Sequence, residues 1–229
     1  MTISERIDEV KQNIIKACEA SGRNPDEITL VGASKTKSAE IINEALENGL
    51  DTIGENRVQE LTEKYPDIKN GTHIHLIGHL QTNKVKYIID KVELIHSVDS
   101  EHLAKEISHC AEKHGLTMNV LVQVNVSGEE SKSGVSPDEA EALVDVCETL
   151  PNVRVRGFMT MAPQGDLEIA RRCFEGLAKL AEKVRASLPA SSAEAFDELS
   201  MGMSEDWREA VHAGATIVRI GRAIFSDSF

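Results

Sequence analysis

The chain has 229 residues, with 25 Lys and Arg against 38 Asp and Glu and so a formal charge of −13. A surface this acidic repels phosphate backbones, which argues against non-specific nucleic-acid binding. No stretch approaches the ~18 apolar residues of a membrane span, and the charged N-terminus lacks the apolar region of a signal peptide. With 41% hydrophobic but only 3% aromatic residues, the core must be aliphatic. The four cysteines, Cys18, Cys110, Cys147 and Cys173, show no CxxC or Cys/His metal spacing. They read as reduced thiols of a cytoplasmic protein.

Residues 4–21 predict an amphipathic helix, with Ile7, Val10, Ile14, Ile15 and Cys18 at helical spacing. An apolar run at 28–34 predicts a strand, and 38–49 a helix with Ser38 as cap and Gly49 as stop. Then come a strand at 51–55, a helix at 57–64, a strand at 73–78, a helix at 82–90 and a strand at 94–98. A helix at 100–114 follows, ended by Gly115, then a strand at 119–126. The helix at 136–150 has Pro137 in its first turn. A strand at 153–161, a long helix at 167–188, a strand at 196–201, a helix at 205–213 and a strand at 216–220 complete the pattern. Strands separated by helices imply βαβ units and parallel pairing. Eight such units close most simply as a (β/α)8 barrel, with residues 1–229 forming one domain. The N-terminal helix is extra and is expected to take the place of a shortened eighth outer helix. The competing arrangement is an open doubly wound sheet, but no GxGxxG follows the first strand.

A barrel carries its chemistry at the C-terminal strand ends. Lys35 stands where the first strand opens into the mouth. Partial desolvation there would lower its pKa and make it an amine nucleophile for a carbonyl. The segment Ser200-Met-Gly-Met-Ser204 runs into a helix, with Ser204 as its N-cap, and has the form of an anion site. Arg219-Ile-Gly221-Arg222 adds a glycine turn after the eighth strand, where barrels commonly bind phosphate. A lysine facing a phosphate site makes a phosphorylated aldehyde the economical ligand, and pyridoxal 5′-phosphate is that ligand among common cofactors. Arg219 could then face its pyridine nitrogen. Gly128 to Gly134 lacks the GK[ST] of a P-loop. His73 and His75 share a strand face but have no apparent third metal ligand.

Val31-Gly-Ala-Ser-Lys-Thr-Lys37, Gly54-Glu-Asn-Arg-Val-Gln-Glu60, His75-Leu-Ile-Gly-His-Leu-Gln-Thr-Asn-Lys84, Leu199-Ser-Met-Gly-Met-Ser-Glu-Asp206 and Val218-Arg-Ile-Gly221 together resemble the pyridoxal-phosphate homeostasis proteins, the YggS/PROSC family. The segments Val124-Asn-Val-Ser, Ser131-Lys-Ser-Gly134 and Arg156-Gly-Phe-Met extend the resemblance over nearly the whole chain. It implies a single barrel like the N-terminal domain of alanine racemases, with pyridoxal phosphate held as an aldimine on Lys35. Ser200, Ser204, Gly221 and the Arg222 backbone would hold the phosphate, either serine making the closer contact. Arg219 would lie near the ring nitrogen and Asn56 near the ring or Lys35. Where the family often has Thr or Ser after the strand-eight glycine, this chain has Arg222, so a hydroxyl contact is lost. The tail Phe225-Ser-Asp-Ser-Phe229 also departs from the usual Phe-Gly. Lys132 reads as a solvated loop lysine, though the resemblance would set it at the mouth.

The implied function is binding, buffering and delivery of pyridoxal phosphate, with apo-enzymes that use it as candidate recipients. The alternative is a pyridoxal-phosphate enzyme such as an amino-acid racemase. A racemase needs acid/base groups on both faces of its substrate. The chain ends soon after the eighth strand and leaves no room for the added β-domain that supplies the second base. Tyr65 and Tyr87 lie away from the strand tips. The expectation is therefore a cytoplasmic monomeric carrier without dedicated catalysis, metal, nucleic acid or membrane.

Overall fold

Eight short parallel strands close on themselves in strict chain order, each paired with the next and the last with the first. The computed structural model describes residues 1–129 and 133–226, so Lys132 and the last three residues lie outside it. In chain order the elements are α1 (Ile3–Ala20), β1 (Thr29–Ala33), α2 (Ala39–Glu47), β2 (Thr52–Glu55), α3 (Val58–Lys64), β3 (His73–Leu76), β4 (Leu94–Val98) and α4 (Glu101–Lys113). There follow β5 (Met118–Gln123), α5 (Pro137–Glu148), β6 (Val153–Met159), α6 (Leu167–Ser187), α7 (Ala190–Ala195), β7 (Glu198–Ser200), α8 (Trp207–His212), β8 (Ile217–Ile220) and α9 (Arg222–Phe225). The expected (β/α)8 barrel with an extra N-terminal helix is the fold.

The helices start where side chains satisfy their free amides. Thr2 and Glu5 form a reciprocal capping box at α1. Ser136 and Glu139 do the same at α5. Asp166 caps α6 by accepting from the Glu168 and Ile169 amides. The longer helices then turn an apolar stripe to the barrel wall: Ile3, Ile7, Val10, Ile14 and Cys18 of α1, for example, are buried.

Parallel strands covered on both faces sort their residues into two cores. Ile53, Val120, Val122, Phe158, Val218 and Ile220 face the helices in the large outer core. Val31, Leu94, Leu121, Met159 and Ile217 form a separate small cluster inside the barrel. The alternation that turns Val31 inward does the same for Arg219, its partner across the β1–β8 closure. Towards the C-terminal ends the interior becomes polar, with His75, His96, Gln123, Ser200 and Arg219 all buried.

The eighth outer helix is reduced to the four residues of α9, and α1 packs against α9 and α8 in its place. Arg6 of α1 donates to the Ser226 carbonyl at 3.0 Å. The expected helix at 82–90 is instead a 3-10 segment, Thr82–Tyr87, followed by turns. Its Thr, Asn, Val, Tyr and Ile are weak helix formers, and the buried Val85, Ile88 and Ile89 do not form one helical stripe. The sequence reading also missed α7 and the short 3-10 turns Pro25–Glu27 and Tyr65–Asp67. No described helix is long and apolar enough to cross a membrane. The four cysteines are buried and unpaired, and burial pushes the Cys147 thiol up to about 12.

Because α1 stands in for an outer helix, its buried face should contribute to global stability. Ile7 is fully buried. Ile7→Ala is expected to cost about 2–4 kcal/mol, read as a lower urea midpoint with an unchanged slope.

Candidate functional site

A cavity of about 590 Å³ opens at the C-terminal end of the barrel, between the tips of β1, β7 and β8. Its wall brings together Lys35, Ser204, Arg219, Gly221 and Arg222, with Ala33, Met203, Glu205, Asp206 and residues 163–167 around them. Five of the seven residues expected at the site therefore share one space. Ser200 and Asn56 are not on its wall.

Lys35 follows β1 in a tight turn closed by a hydrogen bond from the Lys37 amide to the Ser34 carbonyl (3.0 Å). Thr36 lies at φ +64°, the one described non-glycine residue with positive φ, as the third position of a type II turn requires. Lys35 is exposed, not partly desolvated as expected, because it stands in the turn two residues beyond the end of β1. Among the described residues its amine has no hydrogen bond or ion pair.

The loop after β7 is shaped by Gly202 at φ +92°. A Cβ there would stand 2.6 Å from Ala210 Cβ and 2.8 Å from Trp207 Cα, so only glycine fits. The loop is tied by Asp206, whose carboxylate accepts the Met203 amide at 2.6 Å. Asp206, not Ser204, takes the N-cap position of α8, because the helix begins two residues later than expected. The Ser204 hydroxyl has no partner among the described residues and faces the cavity. Burial raises the Asp206 pKa, opposed by the Met203 amide and the Arg219 charge.

Arg219 forms the floor, 4% exposed. One terminal nitrogen donates to the Ser200 carbonyl (3.1 Å) and hydroxyl, the other to the Thr160 carbonyl (2.9 Å). Its pKa falls to about 10 through burial, against the opposing charge of Asp206. Ser200 is therefore beneath the cavity, committed to Arg219. The Ser200 hydroxyl lies 2.9 Å from His96 Nδ1, and His96 Nε2 lies 3.1 Å from His75 Nδ1. Arginine only donates, so the arrangement that satisfies every group has Ser200 accept from Arg219 and donate to His96. His96 then donates from Nε2 to His75. Both rings are neutral: burial holds His75 at about 4 and His96 well below its ordinary value. His96 is the functional-site neighbour the sequence reading missed. Its only signal is an inward-facing polar residue within the apolar strand Leu94–Val98.

Ala33 pairs with Gly54, so Asn56 stands beside Lys35 on the next strand end. Its side-chain oxygen is buried without a partner. Gly78 packs against its backbone, where a Cβ would come 2.2 Å from the Asn56 carbonyl. His73 is exposed and pairs with Glu93 at 2.7 Å. Among the described residues no group of three His, Cys, Asp or Glu could hold a metal.

Residues 7–228 match the family model for the alanine racemase N-terminal domain. The pyridoxal phosphate homeostasis protein of Aquifex aeolicus is 44% identical over 99% of both chains. The structure of PipY from Synechococcus elongatus with pyridoxal phosphate bound superposes with a TM-score of 0.86, at 31% identity over 98% of this chain and 100% of that one. The alanine racemase of Clostridium difficile shares the fold, with a TM-score of 0.70 at 15% identity, over 95% of this chain and 56% of that one. The chain belongs to the alanine racemase N-terminal domain family and, within it, to the pyridoxal phosphate homeostasis proteins.

Two outcomes test this geometry. Gly202→Ala should lose at least about 2 kcal/mol of stability in urea denaturation, since it combines a clash with a disfavoured φ. His75 is neutral when folded and takes up a proton on unfolding below its ordinary value of 6.5. Stability is full above pH 6.5 and falls as the pH drops towards 4, by about 3 kcal/mol from this group alone. The urea midpoint of His75→Gln should show a shallower decline over that interval.

Proposed function

We propose that this protein binds pyridoxal 5′-phosphate as a Schiff base on Lys35 and buffers or delivers it without dedicated catalysis. The observation that carries the reading is one cavity whose wall carries Lys35, Ser204 and the Gly221–Arg222 turn, the lysine amine and the serine hydroxyl having no partner among the described residues. Relatives named as pyridoxal phosphate homeostasis proteins, and PipY with that cofactor bound, support it.

The residues present fit the group. Ser204, Gly221 and the Arg222 amide would take the phosphate, and the buried Asn56 oxygen, without a partner among the described residues, would be an acceptor on the strand end beside Lys35. Of the two serines, Ser204 is the phosphate contact, because the hydroxyl of Ser200 is spent on Arg219 and His96. Arg219 would face the ring nitrogen as a hydrogen-bond donor. When bound, the cofactor supplies an aldehyde. Lys35 would be the primary amine of the cavity wall available to that aldehyde, while Ser204 and the Gly221–Arg222 turn would hold the phosphate.

The inventory of bases favours a carrier. Among the described residues on the wall, Asp166 caps α6, Asp206 holds the Met203 amide and Glu205 pairs with Arg222. None is a free base set opposite Lys35, whereas racemisation needs groups on both faces. An arginine at the ring nitrogen also leaves that nitrogen unprotonated and the electron sink weak. We take the barrel itself to be the binding unit, monomeric and cytoplasmic, with apo-enzymes as recipients.

Borohydride reduction followed by peptide mass mapping should place a phosphopyridoxyl group on Lys35, and Lys35→Ala should abolish it. Labelling at another lysine overturns the assignment. Lys35-dependent turnover of amino acids in racemase, lyase or transaminase assays overturns the carrier reading, and transfer of cofactor to an apo-enzyme supports it.

A further inference from the structure

Behind the Lys35 turn, on the side away from the cavity, lies a buried ion pair that the proposed function does not use. Glu55, at the end of β2, is wholly buried, and Lys64, in the last turn of α3, has a side chain 11% exposed. Lys64 Nζ lies 2.7 Å from Glu55 Oε1, 3.4 Å from the Ser34 carbonyl and 3.2 Å from the Lys37 carbonyl. An ammonium has three donors, and these are its three acceptors. Two of them are the first and last residues of the turn that carries Lys35.

The same turn is held at two further points. The Ser34 hydroxyl donates to Glu55 Oε1, and the Thr36 amide donates to Glu60 Oε2 at 3.1 Å, one helical turn before Lys64 on α3. These ties surround a backbone that does not favour its own conformation, because a β-branched residue at φ +64° is strained. A buried ion pair rarely adds net stability over an apolar pair of the same size. Glu55 even leaves its second oxygen buried without a partner, and burial raises its pKa against the pull of Lys64 and Ser34. Such an arrangement is suited to fixing geometry more than to stabilising the fold.

We propose that Glu55 and Lys64 are positioning residues for Lys35: anchored on β2 and α3, they hold the Ser34–Lys37 turn in its strained form so that the amine enters the cavity ready to attack the cofactor aldehyde. This rests on the proposed cofactor reading. The pair touches the turn from outside the barrel, and neither residue lines the cavity.

The test compares Glu55→Gln/Lys64→Met with the unsubstituted protein. Thermal unfolding checks the fold. Binding of pyridoxine 5′-phosphate, which carries an alcohol in place of the aldehyde, checks the cavity. The rate of borohydride-trapped label at Lys35 checks positioning. The double variant should bind the alcohol within about twofold yet label roughly ten- to a hundredfold more slowly. Adding Thr36→Gly should restore most of the rate, because glycine adopts positive φ without being held there. A residue pair with a merely structural role would not respond to that substitution. Ser34→Ala, which keeps the ion pair, should slow labelling roughly threefold and serves if the double variant does not fold. An unchanged labelling rate in folded variants, or no recovery with Thr36→Gly, overturns the positioning role alone. Absence of label at Lys35 in the unsubstituted protein overturns the cofactor reading and this inference with it.

Discussion

A guanidinium with no water around it must find acceptors within the protein, and much of the barrel mouth follows from that requirement. Arg219 is buried on β8, and its acceptors come from the ends of β6 and β7. Once the Ser200 hydroxyl accepts from Arg219, its own hydrogen needs a partner, which is His96 on β4. His96 in turn needs His75 on β3. One buried cation thereby links side chains on four strands, β3, β4, β7 and its own β8, with no carboxylate of the described residues touching it, and Asp206 balances its charge from a distance. Arginine suits the position because it stays protonated and its planar fork can satisfy several fixed acceptors at once.

Below that polar layer, Val31, Leu94, Leu121, Met159 and Ile217 fill the barrel with aliphatic side chains. The plug explains how a chain with so few aromatic residues builds a sound interior: a narrow parallel barrel needs branched and flexible aliphatics that interdigitate in layers. It also closes the bottom of the barrel, so a ligand has one way in and out. The Lys35 side chain at that end is exposed, and among the described residues its amine has no hydrogen bond or ion pair, so it is open to whatever enters the mouth.

The architecture was legible because strand runs such as residues 28–34 and 94–98 and helix stripes such as that of α1 each carry their own period. The pole of the barrel that bears the site was legible too, since Lys35, Ser204, Arg219 and Gly221 follow strand ends. What could not be read depends on closure. Ser200 and Ser204 look equivalent in the sequence, and only the inward pleat of β7 commits the first to Arg219. His96 lies 104 positions from Ser200 in the chain, and Glu55 and Lys64 meet behind Lys35 only when β2 and α3 are in place. The segment 82–90 misled because its apolar count resembled a helix while its weak helix formers favoured 3-10 turns.

The first and eighth strands pair side by side, Val31 against Arg219, and the cavity lies across that seam. Part of its wall follows the first strand of the barrel and part follows the eighth. Until β8 joins β1, Lys35 stands without the Gly221–Arg222 turn that shares its cavity in the closed barrel. The cavity is thus a property of the closed barrel, and no partly folded chain short of that closure carries it.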